Sequence, residues 1–153
     1  MEQREGKTIN DLRVFTSPEV EEILDLKTER LRQWIKLKYI EPTIKATGSG
    51  TKNYFSKTDI YKIALFKKCV DSGINRWIAN QVIEQYSNTE FDYVMSGLYT
   101  QHLFVAVKSE DRKTWKDSLK LNLLTNMPED LDWEIVIVIN LASIRKRIKN
   151  KIM

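Results

Sequence analysis

Residues 16–37 read Thr-Ser-Pro-Glu-Val-Glu-Glu-Ile-Leu-Asp-Leu-Lys-Thr-Glu-Arg-Leu-Arg-Gln-Trp-Ile-Lys-Leu, and this stretch determines the fold that we predict. Thr16 or Ser17 can cap a helix at its amino end, and Pro18 suits the first turn. Apolar residues then recur at helical spacing, first in one short segment and again after a second capping residue, Thr28. The stretch therefore predicts two short helices joined by a turn, which is the outline of a helix-turn-helix.

The residues after this helix pair predict a β-hairpin and two further helices. Gly48-Ser-Gly50 is typical of a turn between two extended arms, Thr43–Ala46 and Lys52–Phe55. Ser56-Lys-Thr-Asp59 has the S-x-x-D pattern of a helix start, because the hydroxyl can cap a backbone N–H and the acid favours the positive helix end. A third amphipathic helix follows, and Asn75 is placed to cap a fourth.

The pattern changes in the second half of the chain, where β-forming residues become frequent. His102–Lys108 predicts one strand, and Trp133–Leu141 predicts the strongest strand of the chain. Leu119–Leu124 is a weaker candidate. Ser143–Lys151 predicts a basic terminal helix, whose isoleucines form an apolar stripe along one side.

Together these elements predict an α+β chain with two parts. The first is a winged helix-turn-helix of four helices and a β-hairpin wing, which we expect over residues 12–86. The second, residues 91–153, is a small α/β unit with two or three strands and a terminal helix. Residues 1–11 are polar and without periodicity, so we expect a disordered tail there.

The order and spacing of the first part resemble the DNA-binding domain of MerR-type transcriptional regulators, over about residues 15–83. Members of that family typically show a helix-turn-helix ending in L-R-Y-W, a G-L-[IL]-x-P exit, a glycine-bearing wing, and R-x-Y-S-x-x-D-[LI]. The corresponding stretches here are Leu31-Arg-Gln-Trp34, Lys38-Tyr-Ile-Glu-Pro42 and Asn53–Ile60. The C-terminal half is not matched by this resemblance.

The chain departs from the family pattern at several positions. Gln33 replaces a tyrosine, Lys38 replaces the exit-turn glycine, and Asn53 replaces the wing arginine. Asp25 stands at the turn glycine, which is tolerable because aspartate can adopt a left-handed conformation.

Charge is concentrated in the region of the resemblance. Between Lys27 and Arg76 the sequence has 12 Lys and Arg against 4 Asp and Glu. A clustered basic segment is the electrostatic footprint of phosphate binding, although a solvated surface without a polyanion partner gives the same pattern. The last eleven residues hold 5 basic groups and no acid, and we expect an exposed amphipathic helix there, with DNA backbone as the alternative ligand.

The resemblance implies that the helix Thr28–Leu37 enters the major groove and that the wing Thr43–Phe55 contacts the backbone. It makes Arg32 the best candidate contact, and Lys36 shares the face of Arg32. Gln33 can hydrogen-bond adenine or a phosphate. The DNA-binding residues predicted in this way are Thr16, Ser17, Thr28, Glu29, Arg32, Gln33, Lys36, Lys45, Lys52 and Asn53.

Several classes of function are disfavoured by composition. One cysteine, Cys69, and one histidine, His102, leave no cysteine-based zinc cluster and no two-histidine metal site. We expect no catalytic set, no cofactor and no enzymatic activity. The longest apolar run, Ile135–Ile139, is too short to span a bilayer, and residues 1–7 have no apolar signal core, so we expect a cytoplasmic protein without a membrane partner.

These observations favour a sequence-specific, DNA-binding transcriptional regulator that acts on double-stranded DNA. The C-terminal unit would supply homodimerisation or the sensing of a small-molecule or protein effector. Two alternatives remain open at this point: an excisionase-like architectural protein that bends DNA, and a protein-interaction adaptor that has lost DNA binding. Gln33 and the missing wing arginine motivate the adaptor.

Overall fold

The computed structural model describes residues 13–84, 88, 91, 92, 102–107, 115–117 and 135–152 of the chain. The chain divides into two compact units, with the boundary between Ala64 and Leu65. The helical elements of the winged region and a separate strand-containing region agree with the predicted α+β class. The predicted domain limits at residues 12, 86 and 91 stay a prediction.

The first unit contains two short strands, two short helices and the first half of a longer helix. The strands pair antiparallel, and Phe15 lies opposite Phe55 with both side chains buried. This pair was not predicted from the sequence. The elements are β1 (Val14–Thr16), α1 (Ser17–Leu24), α2 (Thr28–Lys36), β2 (Tyr54–Ser56) and α3 (Lys57–Asp71).

The predicted hairpin with arms at 43–46 and 52–55 is present only in a shorter form. Ile44 and Tyr54 form one isolated bridge, with N···O distances of 3.0 and 2.9 Å, and no longer ladder joins the two arms. The ladder stops because the Asn53 side chain, through Oδ1, accepts from the Ala46 N–H that a longer backbone ladder would use. The wing is therefore a loop closed by one bridge.

The predicted cap of α1 is confirmed, whereas the predicted cap of α2 is not. Thr16 caps α1 in a capping box, in which its side chain accepts from the backbone N–H of Glu19 and the Glu19 carboxylate accepts from the backbone N–H of Thr16. Asp25 ends α1 at φ 49°, the predicted left-handed conformation. The prediction of Thr28 as a cap is wrong: the N-cap is Lys27, and Thr28 is the first helical residue.

The core of the first unit is formed by apolar residues that recur at helical spacing in the two short helices. Trp34 is 1% exposed, whereas Ile23 is only partly buried. Burial of the apolar face fixes the rotation of α2 about its axis, which matters for the polar face described below. The buried residues of the helix pair are Val20, Leu26, Leu31 and Trp34.

The second unit contains the rest of α3, a further helix, a three-stranded sheet and the terminal helix. The sheet is antiparallel with strand order β4-β3-β5. Residues 102–107 and 135–140 are strands, as predicted, and Leu141 is helical; residues 108, 133 and 134 and the candidate 119–124 lie outside the described residues. The elements are α4 (Arg76–Glu84), β3 (His102–Val107), β4 (Trp115–Asp117), β5 (Ile135–Asn140) and α5 (Leu141–Ile152).

The helices of the second unit begin at side-chain caps. Asn75 Oδ1 accepts from the backbone N–H of Trp77 at 2.8 Å, as predicted for α4. Asn140 Oδ1 accepts from the backbone N–H of Ser143 at 3.2 Å, so α5 begins at Leu141, a residue that the sequence assigned to the preceding strand. Buried apolar residues in these helices are Ile78, Ala79, Ile83, Leu141, Ile144 and Ile148.

Candidate nucleic-acid interface

The polar face of α2 is the first component of the site. Leu31 and Trp34 are buried, so the helix directs Arg32, Gln33 and Lys36 outward, where all three are exposed. Arg32 and Lys36 are four residues apart and lie on the same side of the helix. This side offers two cations and an amide to a partner without any change in the packing of α2.

Arg30 also lies on α2, but it does not belong to this exposed face. Its guanidinium lies 4.8 Å from the centre of the Trp34 ring, and the residue is partly buried. A guanidinium stacked on an aromatic face is held by a cation–π contact, and its flat surface also packs against the ring. Arg30 therefore covers the core, and Arg32 is the arginine of α2 on its exposed face.

A pocket of about 190 Å³ lies beside this face. Its walls come from three places: α1, α2 and the wing. Four of the predicted DNA-binding residues, which are far apart in the sequence, border it together. They are Ser17, Thr28, Arg32 and Asn53, and the rest of the wall is formed by Glu21, Leu31 and Ile35.

The Arg32 guanidinium is only loosely held in the free protein. Its Nη1 atom lies 3.9 Å from Glu29 Oε2, and the two side chains are 73% and 84% exposed. Ion pairs this exposed contribute little because water screens them. Lys45 makes a similar pair with Glu41 at 3.6 Å. A phosphate or a base edge can therefore replace the carboxylate at Arg32 without loss of a strong contact.

Side chains build the tip of the wing. Asn53 Oδ1 accepts from the backbone N–H of Ala46 at 2.8 Å, below the turn. Thr51 Oγ1 accepts from the N–H groups of Thr47 and Gly48 and donates to the Gly48 carbonyl at 2.7 Å. Gly50 has φ +83°, a conformation that glycine adopts without strain. These bonds give the loop a defined shape although its backbone ladder is short.

Asp59 ties the wing to the start of α3. Its Oδ2 accepts from the backbone N–H of Ser56 at 3.0 Å, and the Ser56 hydroxyl accepts from the Asp59 N–H at 3.1 Å. The same carboxylate oxygen accepts from the N–H and the hydroxyl of Thr43. The helix start was predicted from the S-x-x-D pattern, but the contact with Thr43, the first residue of the wing, was not.

The other predicted residues fall into two groups. Thr16 uses its hydroxyl in the capping box, where it also donates to Glu19 Oε1 at 3.0 Å. Glu29, Gln33, Lys36, Lys45 and Lys52 are exposed and do not line the pocket. The structure thus brings four predicted residues to one pocket and leaves the remaining six around or away from it. Which of them touch a ligand stays a prediction.

Cys69 has a packing role. Its side chain is fully buried in α3, and desolvation raises the pKa of the thiol to about 12. The thiol is therefore protonated at neutral pH, whereas metal binding and nucleophilic attack need the thiolate. Among the described residues, no three His, Cys, Asp or Glu side chains come together as a metal site. Over the same residues, no helix has the length and apolarity needed to cross a bilayer.

Part of the chain matches a known protein family. Residues 15–76 match the family described as MerR HTH family regulatory protein. The match begins in β1, includes both short helices, the wing and α3, and stops at the first residue of α4. A search of curated proteins finds no match to the chain.

Proposed function

We propose that residues 15–76, which match the MerR HTH family, form a DNA-binding domain and that the chain is a sequence-specific transcriptional regulator. The observation that supports the proposal best is the pocket where Ser17, Arg32 and Asn53 meet from three separate elements. A groove-reading helix needs neighbouring donors that fix its position on the duplex, and this arrangement supplies them.

In the proposed complex, α2 lies in the major groove. Arg32 contacts a guanine edge or a phosphate, and Gln33 is suited to adenine. Lys36, one turn further along, adds a phosphate contact on the same side. Thr28 and Glu29 stand in the first turn of α2, the part of a recognition helix that enters the groove, where Glu29 can accept from cytosine.

The wing and the start of α1 hold the backbone in this proposal. Lys45 and Lys52 are exposed on the two arms of the wing, and Asn53 borders the pocket. Ser17, with Thr16 before it, lies at the amino end of α1, where the helix dipole favours an anion. Such contacts carry no sequence information, but they orient the reading helix.

The second unit is proposed to dimerise the chain or to sense an effector, and no catalysis or cofactor is assigned to it. Residues 135–139 are apolar at every position, and strands of this composition are typically covered on both faces. A homodimer would place two copies of α2 on successive turns of the duplex. The proposed partners are therefore double-stranded DNA, a second copy of the chain and an effector.

Selection of the full chain against a random duplex pool at near-physiological salt tests the proposal. An enriched inverted repeat is the expected result, because a two-fold dimer reads two half-sites. Retention without a motif, lost steeply as salt rises, would instead indicate an architectural, excisionase-like role. No retention at all would contradict DNA binding and support the adaptor alternative.

A further inference from the structure

The terminal helix α5 has a polar face with an unusual composition. Its apolar side is buried through Leu141, Ile144 and Ile148, and this burial sets which residues point to solvent. None of the exposed residues is acidic. The exposed set is Ser143, Lys146, Arg147, Lys149, Asn150 and Lys151.

The exposed residues have a regular arrangement. At about 100° per residue, Ser143 and Asn150 lie along the middle of the exposed face. Lys146 and Lys149 lie on one side of this line, and Arg147 lies on the other. A row of short, hydrogen-bonding side chains is thus flanked by cations, a pattern that complements a row of phosphate oxygens.

Helix stability does not account for these charges. Cations near a helix carboxyl end interact favourably with its dipole, which explains Lys149 and Lys151 in the last turn. Lys146 and Arg147 lie in the middle of the helix, beyond the range of that effect. Lys146 also has a like charge three residues on, and Arg147 has one four residues on, spacings at which like charges destabilise a helix. The cluster opposes folding, so a ligand is the better explanation.

We propose that this face of α5 binds the phosphate backbone of duplex DNA, as a second contact that does not depend on base sequence. The proposal rests on the proposed function only in taking duplex DNA as the ligand. Lys146, Arg147 and Lys149 pair with phosphates, while Ser143 and Asn150 donate hydrogen bonds between them. The contact adds affinity for any duplex and leaves the choice of site to α2.

The test measures how binding of the full chain to an unrelated duplex depends on salt. The variant K146Q/R147Q/K149Q removes three cations and keeps three exposed polar side chains. We expect the slope of log K against log salt concentration to fall by about 2 to 3, since each phosphate contact contributes about 0.9. At 0.1 M salt, this corresponds to a roughly eightfold loss of affinity per contact.

The matched control is K146R/R147K/K149R, which keeps every charge and should keep the wild-type slope. Circular dichroism confirms that both variants fold, and the single variant K146Q should lower the slope by about 0.9. An unchanged slope in the triple Gln variant would overturn the proposal, and so would an equal decrease in the charge-keeping control. A decrease confined to binding of vesicles that contain phosphatidylserine would overturn it in favour of a membrane surface.

Failure of the proposal for α5 can be distinguished from failure of the proposed function. Motif preference belongs to α2, so the α5 variant should select the same sequence as the wild type, only more weakly. If the wild type binds duplexes without preference but with a steep, α5-dependent salt slope, the proposal for α5 holds and the regulator assignment fails. If the wild type binds no duplex, both fail.

Discussion

Helix α2 and the wing present polar side chains to the same pocket, but they are held in place differently. α2 is anchored by Leu31 and Trp34, both 1% exposed, and its outward face follows from that burial. The wing has one backbone bridge, at Ile44 and Tyr54, and one backbone turn bond, from the Thr51 N–H to the Gly48 carbonyl; the Asn53 and Thr51 side chains accept further bonds from backbone N–H groups.

Because the two regions are held differently, substitutions in them should have different consequences. Apolar burial is removed only when the unit unfolds, so damage to the anchor of α2 abolishes folding and binding together. The polar bonds of the wing are exposed, and water can replace them at modest cost. Variants in the wing or on the outer face of α2 should therefore alter binding or local order while the fold survives.

The largest effect is expected from Trp34→Ala, which removes the main anchor of α2. Truncation of a fully buried tryptophan leaves a cavity and typically costs about 3–5 kcal/mol. The first unit should lose most of its stability, as measured by urea denaturation followed by circular dichroism. Leu37→Ala is the control: Leu37 is 46% exposed just after α2, and its loss should change stability by less than about 0.5 kcal/mol. Equal effects of the two variants would contradict the anchoring role of Trp34.

Arg32→Ala tests the outer face of the same helix. Loss of a base or phosphate contact in the groove should weaken specific binding by about 1–3 kcal/mol. Stability should stay unchanged because the side chain is exposed and its ion pair is weak. Kd values for the selected duplex, measured by fluorescence anisotropy, give the effect. Lys68→Ala removes the same charge from an exposed site in the last turn of α3 and serves as the control.

A wild-type Kd in the Arg32→Ala variant would remove Arg32 from the interface. An equal loss in Lys68→Ala would show that the protein responds to its total charge and not to the α2 face. Either result would contradict the view that α2 is a positioned DNA-reading helix and would favour a diffuse basic surface.

Asp59→Ala tests the anchor of the wing. The substitution removes the carboxylate bond to the Ser56 N–H at the start of α3 and the bonds to Thr43 at once, so we expect a loss of about 1–2 kcal/mol in urea denaturation. Thr43→Val removes only the hydroxyl bond and should cost less. A loss in Thr43→Val that equals or exceeds the loss in Asp59→Ala would contradict the view that one carboxylate holds both elements.

Local features of this fold were predictable from the sequence because they depend on neighbouring residues. The sequence offers Thr16 or Ser17 as the cap of α1, and the structure uses Thr16. This cap and the left-handed turn at Asp25 need only a few adjacent side chains. The buried face of α5 and the cap at Asn75 are of the same kind. Each was recognised because its chemistry is complete within one or two turns of helix.

Features that depend on distant residues were not predictable. β1 and β2 have three residues each, too few for a periodic signal, and their pairing is decided by burial of Phe15 against Phe55. The ladder of the wing ends after one bridge because the Asn53 side chain takes the Ala46 N–H, a contact that the sequence pattern does not show. The N-cap of α2 at Lys27 lacks a side-chain hydrogen bond, so no sequence pattern marks it.

The same difference between local and distant contacts applies to the candidate site. Arg32, Gln33 and Lys36 could be assigned to an exposed face because the apolar positions of α2 define the opposite side. That Ser17 and Asn53 border the same pocket depends on the β1–β2 pairing and on the wing turn. The Asp59–Thr43 contact likewise joins two segments that the sequence shows only separately.

The smallest expected effect concerns Lys38, in the turn where the chain leaves α2 for the wing. Lys38 has φ 62°, a left-handed conformation that costs a side-chain-bearing residue about 1–2 kcal/mol. Lys38→Gly removes that strain but makes the unfolded chain more flexible, so we expect a net gain of about 0.5–1 kcal/mol in urea denaturation. Lys68→Gly, in the right-handed helix α3, should instead lose up to about 1 kcal/mol. A loss in both variants would show that the Lys38 side chain stabilises the turn, and the connection to the wing would then be held by packing, as α2 is.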